Sequence, residues 1–132
     1  MKLNFAKPAF VVAAAMIAMA PMSAVAGQST PHGTFVGASN HVTSGGVQIV
    51  KTADGGAILI LDTDFSLDNG PDPRVGFGAD GTYAEASDLG ELQKISGLQI
   101  YVVPPSVNVD NFNEVYIWCK EVGVPLGIAP LS

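Results

Sequence analysis

Beyond residue 32 the chain alternates short apolar runs with clusters of glycine, proline, asparagine and aspartate. No stretch there keeps the three-to-four-residue apolar spacing of a helix. Gly33, Thr34, Phe35 and Val36 open a first strand, followed by turns at Ser39-Asn40-His41 and Thr43-Ser44-Gly45-Gly46. Residues 47–51 alternate, with Val47, Ile49 and Lys51 on one side and Gln48 and Val50 on the other. Asp54-Gly55-Gly56 is a hairpin signal. It leads into Ala57-Ile58-Leu59-Ile60-Leu61, an unbroken apolar run that predicts a strand buried on both faces. Residues 62–73 hold too many turn formers to continue as strand after Phe65. Residues 74–77 predict a short strand, 79–82 a turn, and 87–92 a loop anchored by Leu89 and Leu92.

Residues 97–103 alternate again and stop at Pro104-Pro105, and 112–119 form the strongest run of β formers. A closing segment over 122–131 is interrupted by Pro125, which predicts an edge or bulged strand. One helical turn is expected over 110–114, with Asp110 as its cap. The whole pattern predicts an all-β fold: a single antiparallel β-sandwich or small open barrel over residues 33–131.

The first 26 residues follow a different grammar. Lys2 and Lys7 form a basic start, residues 9–20 are apolar, Pro21 ends that run, and Ala24-Val25-Ala26 offers the small-x-small pattern of a cleavage site. The run is shorter than the ~20 residues a membrane span needs. A cleaved leader over 1–26, a flexible lead-in over 27–32 and a periplasmic or secreted destination are the expectation, with no stable membrane anchor after cleavage. Removing Lys2 and Lys7 from 6 basic residues leaves 4 against 12 acidic ones, a net charge of −8. So acidic a domain is repelled by nucleic acid and by anionic surfaces. Its single cysteine excludes an internal disulfide.

That cysteine, Cys119, shares a strand face with Val115 and Ile117, while Tyr116, Trp118 and Lys120 take the other. A thiol in such company reads first as a small buried hydrophobe. Nucleophilic use needs cations or a helix N-terminus beside it. Here there is one Lys120 in an acidic domain, which argues against hydrolase or transferase chemistry. With His32 and His41, Cys119 makes up the ligand inventory of a copper centre, but no histidine follows it on a short loop. Cys119 or His41 could instead be an axial ligand of haem, held non-covalently in the absence of C-x-x-C-H. Asp62, Asp64, Asp68 and Asp72 invite calcium, although Phe65 and Leu67 interrupt the ligand spacing and no glutamate closes the loop.

Several phrases together resemble the DM-thirteen domain family. They are Asn40-His41-x-x-Ser44-Gly45, Phe65 with Asn69-Gly70-Pro71-Asp72, and Leu89-Gly90 before Gly97, Gln99 and Tyr101 with Pro104. The last is Val115-x-Ile117-Trp118-Cys119 running on through Leu126-Gly127-Ile128-Ala129-Pro130-Leu131. The resemblance implies a β-sandwich related to haem-binding DOMON domains and an extracellular electron-transfer role. That role would run through Cys119, as a bare thiol or through a prosthetic group. It carries the family's histidine onto His41 and leaves Trp118 and Tyr101 as aromatic neighbours. The chain departs from the family by holding Val122 and Leu126 where aromatics are frequent. Two readings stand: a redox carrier with an unidentified partner, or a non-catalytic extracellular binding module in which Cys119 only packs.

Overall fold

The computed structural model describes residues 30–132; the expected leader over 1–26, and residues 27–29 of the expected lead-in, lie outside the described residues. In chain order the strands are β1 (His32–Thr34), β2 (Val36–Gly37), β3 (Thr43–Ser44), β4 (Gly46–Lys51), β5 (Ala57–Leu61), β6 (Ser66–Leu67), β7 (Pro73–Ala79), β8 (Thr82–Ala84), β9 (Gln99–Val103), β10 (Glu114–Cys119) and β11 (Val124–Pro130). Strands β1-β4-β5-β9 make one sheet and β2-β11-β10-β7-β8 the other, with β3-β6 as a separate ribbon. Every pairing is antiparallel. The sheets stay open, so the fold is a sandwich and not a barrel.

The core forms where the two inner faces meet. Val47, Ile49, Ala57, Leu59, Leu61, Tyr101 and Val103 come from the first sheet, and Val75, Phe77, Val115, Ile117, Cys119, Leu126 and Ala129 from the second. Phe35 and Phe65 meet edge to face at 5.4 Å, plugging the end where the chain crosses between sheets. Leu89 and Leu92 pack against this core from their loop. The start and the finish of the sandwich clasp each other: Ser132 N–H donates to the His32 carbonyl at 2.9 Å and His32 N–H to the Ser132 carbonyl at 3.4 Å.

Four local expectations need correction. Strand β5 is buried on one face only: Ala57, Leu59 and Leu61 point inward, while Ile58 and Ile60 lie half-buried on the outside. Residues 43–44 and 66–67, expected in turns, pair with each other as β3 and β6. Residue 82, expected to end a turn, opens β8. The helical turn sits at Val109–Asn111, capped by Asn108, whose side chain accepts from Asp110 N–H at 3.1 Å. Phe112 is extended and stacks on Phe77 at 5.6 Å, so the turn ends at Asn111.

Candidate redox site

Strand β10 alternates as its sequence demands, with Val115, Ile117 and Cys119 at or below 1% exposure on the inner face. Pro125 has no N–H, and β11 accommodates it with a bulge: Ile117 faces Gly127 while Trp118 faces Pro125, leaving Leu126 as the extra residue. Leu126 is fully buried. A Cβ on Gly70 would stand 2.7 Å from Leu126 Cδ1, so this glycine lets the loop over residues 69–73 settle onto the bulge. The loop then closes on the end of β10. Lys120 N–H donates to the Asp72 carbonyl at 3.1 Å, and the Cys119 thiol donates to the Pro71 carbonyl at 3.0 Å. Asp72 holds the turn with a φ of 44°. The sulfur is therefore sealed, yet Pro71, its hydrogen-bond partner, is itself exposed. A single loop separates it from solvent.

The other face of β10 carries rings. Trp118 stacks on Tyr83 of β8 with centroids 4.4 Å apart and planes 12° apart, and Tyr83 leans on Tyr116 at 5.5 Å. Strand β7 makes room for them: a Cβ on Gly78 would come within 2.4 Å of Tyr116 Cε2, and one on Gly76 within 2.8 Å of the Tyr83 ring. Arg74, in register with Trp118, holds Asp88 through two hydrogen bonds of 3.0 and 3.1 Å. The Tyr83 hydroxyl is buried without a hydrogen-bond partner. Burial first, and Asp88 second, push its pKa up to about 12.

The residues singled out from sequence are dispersed around the molecule. His41 Nδ1 lies 3.1 Å from Asp68 Oδ1, and Asp68 also accepts from the Val42 and Asn69 N–H groups at 3.0 and 2.7 Å. Those backbone donors, ahead of His41, hold the Asp68 carboxyl below its usual range. Tyr101 belongs to the opposite sheet, where its hydroxyl donates to Gln99 Oε1 at 2.6 Å and accepts from Gln93 N–H at 2.8 Å. Trp118 points away from the sulfur of its neighbour. His32 turns to the Thr30 carbonyl at 3.0 Å. Asp62 accepts from Gln48 Nε2 at 3.1 Å and Asp64 from Gly46 N–H at 3.0 Å. Each of these carboxylates ties its loop to the segment over residues 41–48. Val122 is 64% exposed in the β10–β11 turn, so it shapes no pocket beside Cys119.

Among the described residues no group of three or more His, Cys, Asp or Glu side chains could hold a metal ion. A cleft of about 300 Å³ opens between the sheets at the other end of β10, lined by Ile49, Val109, Phe112 and Leu131 among others, and by neither Cys119 nor His41. The thiol's hydrogen-bond partner is a carbonyl oxygen, and the His41 imidazole pairs with Asp68. Neither Cys119 nor Asp62, Asp64 and Asp68 therefore belongs to such a metal-holding group among the described residues.

Sequence reasoning passed over the Tyr83–Trp118–Tyr116 stack. Its signal was present: aromatics at 116 and 118 share a strand face, as do glycines at 76 and 78. Tyr83 itself was hidden because a three-residue strand carries too few positions to show a period.

Fold and site together define an open antiparallel sandwich with one sealed thiol at a strand end and a ring stack behind it. The family model described as electron transfer DM13 matches residues 34–131. The chain belongs to that family. Comparisons with curated proteins and with solved structures return no match.

Proposed function

We propose that the chain is an exported electron-transfer domain whose redox residue is Cys119, working as a bare thiol beneath residues 69–73. The observation that carries this reading is the position of the sulfur: within the span of the electron-transfer family match, one loop thick from water, hydrogen-bonded to a carbonyl on that loop. The leader-like pattern of residues 1–26 supports export.

With the loop closed, the Cys119 S–H group donates to the Pro71 carbonyl and is covered. Lifting residues 69–73 admits oxidant and water. With a peroxide as oxidant, an S–O bond forms as the O–O bond breaks, two electrons leave sulfur, and one water departs. Cys119 is left as a sulfenic acid, which two equivalents of a small thiol return to the reduced state as the corresponding disulfide forms.

The test uses hydrogen peroxide on the native protein beside Cys119→Ser, read by intact mass and by protein-film voltammetry. Gain of one oxygen at Cys119, reversed by thiol and absent from the serine variant, is the expected result. A sulfur inert to peroxide until the protein unfolds ends the proposal. It would favour the second reading, a binding module with a packing cysteine, which the 1% exposure of Cys119 recommends. On that reading Cys119→Ala costs about 1–3 kcal/mol of stability and nothing else.

A further inference from the structure

Three rings gather on the outer face of the five-stranded sheet, and none of them belongs to the core between the sheets. Trp118 lies flat on Tyr83 with centroids 4.4 Å apart, Tyr116 leans on Tyr83 at 5.5 Å, and Tyr116 meets Trp118 edge to face at 6.4 Å. The rings are graded in depth: Trp118 is half-buried at the surface, whereas Tyr116 is 1% exposed. Their hydroxyls differ in what can take a proton. Tyr116 donates to Glu114 Oε1 at 3.2 Å, and the same oxygen accepts the Gly81 N–H at 2.8 Å. The Tyr83 hydroxyl has no partner among the described residues. Negative groups close to a ring favour positive charge on it. Asp88 and Glu85 both act on Tyr83 in that sense, and Arg74, which opposes them, is bound to Asp88 through two hydrogen bonds.

We infer that the stack is a second redox site, a one-electron relay that begins at Trp118 and ends on Tyr116, with Glu114 as its proton acceptor. The reactant is an outer-sphere one-electron oxidant, such as an oxidised metal complex. It takes one electron from the Trp118 indole and is itself reduced by one, leaving an indole radical cation stacked on Tyr83. Tyr116 then passes one electron to Trp118 and its O–H proton to Glu114. The indole is restored, Tyr116 is left as a neutral phenoxyl radical, and Glu114 as a carboxylic acid. A one-electron donor returns Tyr116 to the phenol as the proton comes back from Glu114. An oxidised phenol is a strong acid, so a carboxylate within hydrogen-bond reach is base enough to receive that proton. Tyr83 cannot hold the end position, because its proton has no acceptor beside it; it serves as the bridge. Cys119 faces the other side of β10, so the relay does not use the thiol.

The chain has 1 tryptophan and 3 tyrosines, which makes the radicals assignable. Flash photolysis with tris(bipyridine)ruthenium and an electron acceptor generates the ruthenium(III) oxidant beside the parent protein and beside Cys119→Ser. The cationic complex is drawn to so acidic a domain. In both proteins an indolyl band appears and decays as a phenoxyl band grows. Tyr83→Phe keeps both bands, and Tyr116→Phe leaves the indolyl radical without a phenoxyl successor. Glu114→Gln, which keeps an acceptor oxygen but is no base, slows the handover by about a hundredfold. Unchanged melting shows that each variant is folded. An indolyl radical with no successor in the parent, a phenoxyl band that survives Tyr116→Phe or vanishes in Tyr83→Phe, or a handover as fast in Glu114→Gln each overturns the proposal. A relay present in the parent and lost in Cys119→Ser overturns it too, by routing the electron through the thiol.

Discussion

Tyr83 and Tyr101 show how differently two buried hydroxyls can be housed. Tyr101 both donates and accepts, whereas the Tyr83 hydroxyl has no partner. Removing a buried, unpaired polar group is close to neutral or favourable, while removing a paired one orphans its partners. Tyr83→Phe should therefore hold or raise stability, by up to about 1 kcal/mol, measured by urea unfolding. The matched Tyr101→Phe change should lower it by a similar amount or more. At this scale the sequence disclosed faces but not partners. The burial of Cys119 follows from its phase with Val115 and Ile117, but its bond to Pro71 spans 48 positions and that of His41 to Asp68 spans 27. Short-range pattern cannot say which distant side chains a fold brings together, so the candidate site was legible as a residue and not as a constellation.

At the scale of elements, the glycines of β7 fix the ring stack. Gly78→Ala would set a Cβ within 2.4 Å of both the Thr82 carbonyl and Tyr116. Backbone cannot yield as a flexible side chain does, so the change should destabilise by about 1–3 kcal/mol and weaken the near-ultraviolet signal of the stacked rings. The long strands were legible because alternation over five or more residues is a strong signal, and Pro125 marked the bulge because a missing N–H interrupts a ladder. Strands β3 and β6, of two residues each, are products of tertiary pairing with no periodicity of their own. The run at residues 57–61 predicts burial on both faces because all five positions are apolar, yet Ile58 and Ile60 are only half-buried on the outer one.

For the whole molecule, all 3 tyrosines are shifted in the same direction. Burial, followed by Glu114, lifts Tyr116 to about 12, matching Tyr83, and burial raises Tyr101 as well. In the unfolded chain each ionises near ~10. Because the folded values lie higher, stability is complete below about pH 10 and declines as pH climbs from there toward about 12, where the unfolded state alone holds the phenolates. Urea midpoints should fall over that interval. At about pH 10.5 the native protein should show little phenolate absorbance, and the unfolded protein a strong band.

The reciprocal hydrogen bonds between His32 and Ser132 bear on how such a unit can be combined with others. A sandwich entered and left at the same corner can be threaded into a host loop, or strung in tandem, with its interior undisturbed. For the same reason, bridging that corner and reopening the chain in an exposed turn should yield a circular permutant with the parent's packing.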